Sequence, residues 1–126
     1  MWGSILLIGS GGFLGSISRY LVGKFFQEMT LTTFPLGTLI VNLSGCFLIG
    51  LIYGLTERTS WINPEWRMFL VVGFCGGFTT FSSFANENIG LLRDEELLYF
   101  FLYTGISVFA GFFLTWLGQL IVRMIL

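Results

Sequence analysis

The sequence predicts an all-α membrane protein of four transmembrane helices with a break in the third, and three observations carry that reading. Of the 126 residues, 55% are hydrophobic and only 10% are charged, and the mean hydropathy is +0.86, far above that of soluble domains. Four apolar stretches, residues 4–26, 36–56, 68–92 and 97–124, each come near or exceed the roughly 20 residues that a helix needs to cross hydrocarbon. The third stretch is interrupted at its centre by GFCGGFTTFSSF, residues 73–84, which joins the pair Gly76 and Gly77 to the hydroxyl run Thr79, Thr80, Ser82 and Ser83. Little chain remains for a soluble part, so residues 1–126 are expected to form one transmembrane domain.

The first stretch lacks the charged leading region of a signal peptide, because Arg19 and Lys24 follow its apolar run, and it is read as a span. Small residues recur in it at three- and four-residue spacing, among them Gly11, Gly12, Gly15 and Ser16, which suits close packing against other helices. Arg19, at the end of that run, can snorkel to the headgroups or pair with a polar group inside.

A short link ends in Phe34-Pro35-Leu36-Gly37, with the proline where a helix begins. The second stretch carries Thr38, Asn42 and Cys46 at intervals of four. An amide as deep as that of Asn42 must be hydrogen bonded, either as glue between helices or as a lining group. The next link, residues 57–67, holds Trp61, Trp66 and Asn63-Pro64, and reads as a compact interfacial loop.

In the third stretch, glycine is a poor helix former and hydroxyl side chains compete for backbone hydrogen bonds, so the helix is expected to unwind between Gly76 and Thr79. Freed backbone groups in hydrocarbon cost several kcal/mol each, roughly, and so require an ion, water or another subunit. Close packing through small residues is the alternative reading. Glu87, seven residues past Thr80, is expected to be a solvated carboxylate at the helix end. After the tight reversal at residues 93–96, the fourth stretch places Tyr103, Ser107, Gly111 and Thr115 at intervals of four. Such a stripe is either a wet track or a packing seam.

Cys46 and Cys75 both fall inside predicted spans, where a disulfide framework is not expected. The chain has no histidine and no Gly-rich phosphate motif, so no residues for an enzymatic activity are visible, and a net charge of −1 gives no reason to expect a nucleic-acid partner. The flanking positive charges nearly balance. Arg58, Arg67 and Arg123 lie on one side, Lys24, Arg93 and in some placements Arg19 on the other, a bias too small to choose an orientation. Insertion both ways, and with it an antiparallel dimer in the bilayer, is left open.

On these residues the sequence resembles the fluoride channel family, Fluc, also called the CrcB fluoride exporters. The likeness covers the whole chain: four spans, the first ending in Arg19 and Tyr20, the PLGTLIVN stretch up to Asn42, and above all GGFTTFSSF, residues 76–84. It implies a dual-topology, antiparallel homodimer in the cell inner membrane, a passive channel that exports fluoride from the cytoplasm. It also implies a structural sodium ion at the dimer centre, held by the backbone carbonyls of Gly76 and Thr79 of each copy. Phe81 and Phe84 match the phenylalanines whose ring edges line the fluoride path, Asn42 the pore asparagine, and Arg19 the vestibule arginine. Tyr103, Ser107 and Thr115 match the polar track, with Gly111 standing where some members carry a hydroxyl, and Thr38, Ser82 and Ser83 are further candidate donors. Elementary chemistry agrees, since a phenylalanine edge is electropositive and hydroxyl and amide donors can replace an anion's water. A small dual-topology multidrug transporter would share the size, but it wants a buried carboxylate in the first span, which has none.

Overall fold

Apolar side chains surround each of the four stretches, and a backbone in hydrocarbon has to pair internally, so each stretch folds as helix. The computed structural model describes residues 1–126 and places them in four helices long and apolar enough to cross a membrane. They are α1 (Trp2–Gln27), α2 (Leu36–Arg58), α3 (Pro64–Arg93) and α4 (Leu97–Ile125), and there is no strand. Large apolar side chains such as Phe13, Phe109 and Phe112 point outward, as they do in proteins solvated by lipid.

The start of α3 differs from expectation. Asn63-Pro64 does not close a turn ahead of the helix but opens the helix itself. The Asn63 side chain accepts a hydrogen bond from the Trp66 N–H at 2.8 Å, and Pro64 takes the first helical position, where its missing N–H costs nothing. From Met68 to Cys75 the helix then widens into a π-helix, a form that the residue pattern gives no means of anticipating. At the other end Glu95, in the reversal before α4, adopts a φ of 60°, the left-handed region that β-carbons disfavour.

Two long seams and a shorter one hold the bundle together. α1 lies along the first half of α3, α2 lies along α4, and α1 also meets α2, where a β-carbon on Gly37 would overlap the Gly23 carbonyl. All three are glycine contacts. A β-carbon on Gly73 would stand 2.9 Å from the Gly11 Cα and 2.9 Å from the Ile8 carbonyl. A β-carbon on Gly118 would stand 2.7 Å from the Phe47 carbonyl on α2. Backbones approach this closely only where side chains are missing, and the resulting dispersion contact replaces the hydrophobic driving force that lipid does not supply.

A small core of Leu39, Leu91 and the fully buried Tyr103 joins α2, the second half of α3 and α4, with Phe34 and Phe84 packed against it. Because the Gly73 seam meets backbone and not a flexible side chain, Gly73→Val is expected to destabilise the protein by about 1–3 kcal/mol, seen as a lower melting temperature in detergent.

Candidate functional site

The helical hydrogen bonding of α3 stops at two residues, Thr79 and Thr80, whose backbones are extended (ψ of 157° and 115°). The interruption therefore lies later than the sequence suggests. Gly76 and Gly77 remain helical, Gly76 with φ −62° and ψ −36°, and the role of Gly77 is proximity: a β-carbon on it would stand 2.8 Å from the Gly12 carbonyl of α1. The hydroxyl residues take over the backbone bonding. Thr79 Oγ1 donates to the Cys75 carbonyl at 2.8 Å, closing the first half, and Thr80 Oγ1 accepts from the Ser83 N–H at 3.2 Å, opening the second.

Asn42 closes the gap from α2. Its Oδ1 accepts from the Thr80 N–H at 2.8 Å and its Nδ2 donates to the Thr80 carbonyl at 3.0 Å. The amide thus has a structural reason to lie deep in the membrane, which the sequence alone did not disclose. Its second N–H and second lone pair remain. Diverting the Thr80 N–H to Asn42 takes from the Gly76 carbonyl its ordinary partner four residues on, and the Thr79 carbonyl accepts no hydrogen bond from within the chain. Gly76 is exposed. Carbonyl oxygens so placed are hard donors of the kind that suit a hard monovalent cation.

Beyond the break, Phe81 and Phe84 lie on one face with ring centroids 5.7 Å apart. Phe81 is 78% exposed and Phe84 half-buried, its ring centroid 5.0 Å from that of Tyr103. Both line a recess of about 360 Å³ together with Asn42, Thr80 and Ser107. Ser107 Oγ is buried and has no hydrogen-bond partner. Ser82, at the start of the second half, is exposed, with its Oγ 3.4 Å from Thr80 Oγ1.

On the other side of the break, Arg19 lines a polar recess of about 290 Å³ with Ser16, Thr38, Thr80 and Ser83. Arg19 therefore shares a recess with five hydroxyl residues, Tyr20 being the fifth. Next to this recess lies the chief correction to the sequence reading, since Glu87 is not a solvated end-of-helix carboxylate. Its Oε2 accepts from Thr38 Oγ1 at 2.8 Å and its Oε1 from the Tyr103 hydroxyl at 2.9 Å. Glu87 lies a whole number of turns past Thr80, which points it inward between α2 and α4 rather than along the headgroups. Tyr103 is thereby fully buried, its hydroxyl used by Glu87.

Lower on α4, Thr115 Oγ1 lies 3.1 Å from the Cys46 carbonyl and 3.0 Å from the Gly111 carbonyl, and donates to them. Eight of the predicted residues, Thr79 among them, and their shared neighbour Thr80 line two recesses around the break, whereas Tyr103, Thr115, Ser82 and Gly76 line neither. Arg19, Thr38 and Ser83 share one recess, and Asn42, Phe81, Phe84 and Ser107 share the other, with Thr80 common to both.

The chain matches the family described as "CrcB-like protein, Camphor Resistance (CrcB)" over residues 6–119. It is 45% identical over 120 residues to a "Fluoride-specific ion channel FluC" of Flavobacterium psychrophilum, covering 95% of this chain and 97% of the relative. It is 54% identical to the protein of that name from Chlorobium chlorochromatii, over 94% and 92% of the two chains. A further relative of that name, from Gloeothece citriformis, is 46% identical over 94% of this chain and 96% of its own length.

Replacing Asn42 by alanine removes the partners of both the N–H and the carbonyl of Thr80, a buried residue in the middle of a span. Asn42→Ala is expected to lower stability by about 2–4 kcal/mol, read as a drop in melting temperature of the purified protein. An unchanged melting temperature would show that the amide does not hold the break.

Proposed function

The chain belongs to the CrcB family, and from that premise we propose that it is a fluoride-selective channel that lets fluoride leave the cytoplasm passively. It is a multi-pass membrane protein and not an enzyme. The observation that carries the reading in this chain is the recess that two phenylalanines, an asparagine and an unpartnered serine hydroxyl line beside the helix break. Fluoride is small and strongly hydrated, so a path must offer close donors in place of water while excluding larger anions. Ring edges of Phe81 and Phe84, the free N–H of Asn42 and the Ser107 hydroxyl supply such contacts. Arg19 raises the local anion concentration at the neighbouring recess. Glu87, with its two hydrogen-bond donors, holds Thr38 and Tyr103 in place beside the path. A multidrug transporter gains no support, because the relatives carry the channel name and α1 has no carboxylate.

The working unit is an antiparallel homodimer in the inner membrane. Near-balanced flanking charges, a 78% exposed Phe81 and an exposed Gly76 beside the break support that reading. Where two copies meet at the breaks, the carbonyls of Gly76 and Thr79 of each would hold a sodium ion of structural role. The fit rests on those oxygens having lost, or never having had, a donor in the chain.

Fluoride efflux from proteoliposomes, with chloride as control anion, tests the function directly. Wild-type protein should discharge fluoride and not chloride, and Phe81→Ile or Phe84→Ile should each cut the flux about tenfold or more, since an aliphatic chain keeps bulk but lacks the polarised edge. Wild-type flux in both variants would move the path elsewhere. For the assembly, a membrane-impermeant thiol reagent should reach Ser60→Cys from both faces of the membrane, and exchanging sodium for a large organic cation should lower the melting temperature. Labelling from one face alone would exclude dual topology.

A further inference from the structure

The stripe on α4 does not end at Thr115. Four residues on stands Gln119, and a recess of about 510 Å³ is lined by Ser107, Gly111, Thr115 and Gln119 of α4 and by Cys46 of α2. Ser107, Cys46 and Phe112 also line the recess beside Phe81 and Phe84, so the two recesses meet at these three side chains. Together they make one groove between α2 and α4.

An anion in that groove needs hydrogen-bond donors. Thr115 has a single hydroxyl proton, and with the Cys46 and Gly111 carbonyls 3.1 and 3.0 Å from its Oγ1 the proton is held by backbone. Lone pairs are all it can turn toward an anion. Ser107 differs, since its buried Oγ has no partner. The Gln119 amide is bonded to no other group of the chain and offers two N–H donors. Gly111 offers no side chain, but Cys46 Sγ lies 3.5 Å from where its β-carbon would stand, so a thiol from α2 occupies the gap that α4 leaves.

We propose that the donors along this half of the groove are Ser107, the Cys46 thiol and, outermost, the Gln119 amide, and that they bind the partly dehydrated anion on its way past Phe81 and Phe84. Thr115 is a positioning residue that ties α4 to the backbone of α2. The assignment rests on the channel reading given above.

The test is fluoride efflux from proteoliposomes carrying Gln119→Met, Gln119→Glu, Cys46→Val, Cys46→Ser or Thr115→Val, each first shown to keep the melting temperature and size of the folded wild type. Gln119→Met and Cys46→Val remove donors at nearly constant volume and should each lower the flux about tenfold, the effect of one charge-assisted hydrogen bond. Gln119→Glu, which exchanges donors for acceptors at a half-buried position, should lower it at least as far. Cys46→Ser restores a donor and should recover most of the flux lost in Cys46→Val, and Thr115→Val should lose less than Gln119→Met. Wild-type flux in the Gln119 variants, or equal losses in Cys46→Val and Cys46→Ser, would overturn the assignment alone. Wild-type liposomes that move no fluoride would overturn the channel reading itself.

Discussion

Two residues of α3 leave the helix in the middle of a span, and the backbone of one of them, Thr80, is held by a single side chain from another helix. Asn42 pairs with both its N–H and its carbonyl, an arrangement resembling a one-residue strand pairing made by an amide. In hydrocarbon such a pair is worth more as the removal of a penalty than as an attraction, because each unpaired group would cost about 1–3 kcal/mol. The break therefore persists only while α2 stays in register with α3. Everything around it depends on that register: the direction of the second half of α3, the placement of Phe81 and Phe84, and the release of the Gly76 and Thr79 carbonyls.

Register is set by the glycine seams. α1 fixes the first half of α3 through Gly11 and Gly73, and α2 fixes α4 through Phe47 and Gly118. The two pairs are joined by the close approach of Gly37 on α2 to Gly23 on α1 and by polar contacts, Asn42 to Thr80 and Glu87 to both Thr38 and Tyr103. This division has a physical basis. Small residues give tight but sequence-tolerant packing, whereas buried polar groups must find particular partners and so select one arrangement. The polar contacts all lie at the recesses, so the groups that specify the fold also shape the path. Substitutions there are expected to alter flux and stability together.

Much of the fold was legible because a helix in lipid is written in length and hydropathy alone. The four spans could be read from length and hydropathy, and an interruption of the third from its glycines and hydroxyls. The rest depended on partners distant in sequence. Nothing near Asn42 announces that its amide will meet Thr80, 38 residues on, and nothing near Glu87 announces Thr38, 49 residues back. The break was placed too early because glycine reads as a helix breaker, yet Gly76 and Gly77 stay helical and Gly77 is small to admit α1. Asn63 followed by Pro64 was read as a turn although the same pair is also a helix start. Gln119 continues the four-residue stripe and could have been found by extending it one step. The π-helix from Met68 to Cys75 left no trace in the residue pattern.

If the Asn42 amide holds the α3 break, hydrogen exchange at the Thr80 amide, resolved by NMR in the folded protein, will report it. Strong protection of the Thr80 N–H is expected in the wild type, lost in Asn42→Ala while amides in the middle of α2 and α4 remain protected. A Thr80 amide that exchanges freely in the wild type, or one that stays protected in Asn42→Ala, would contradict it.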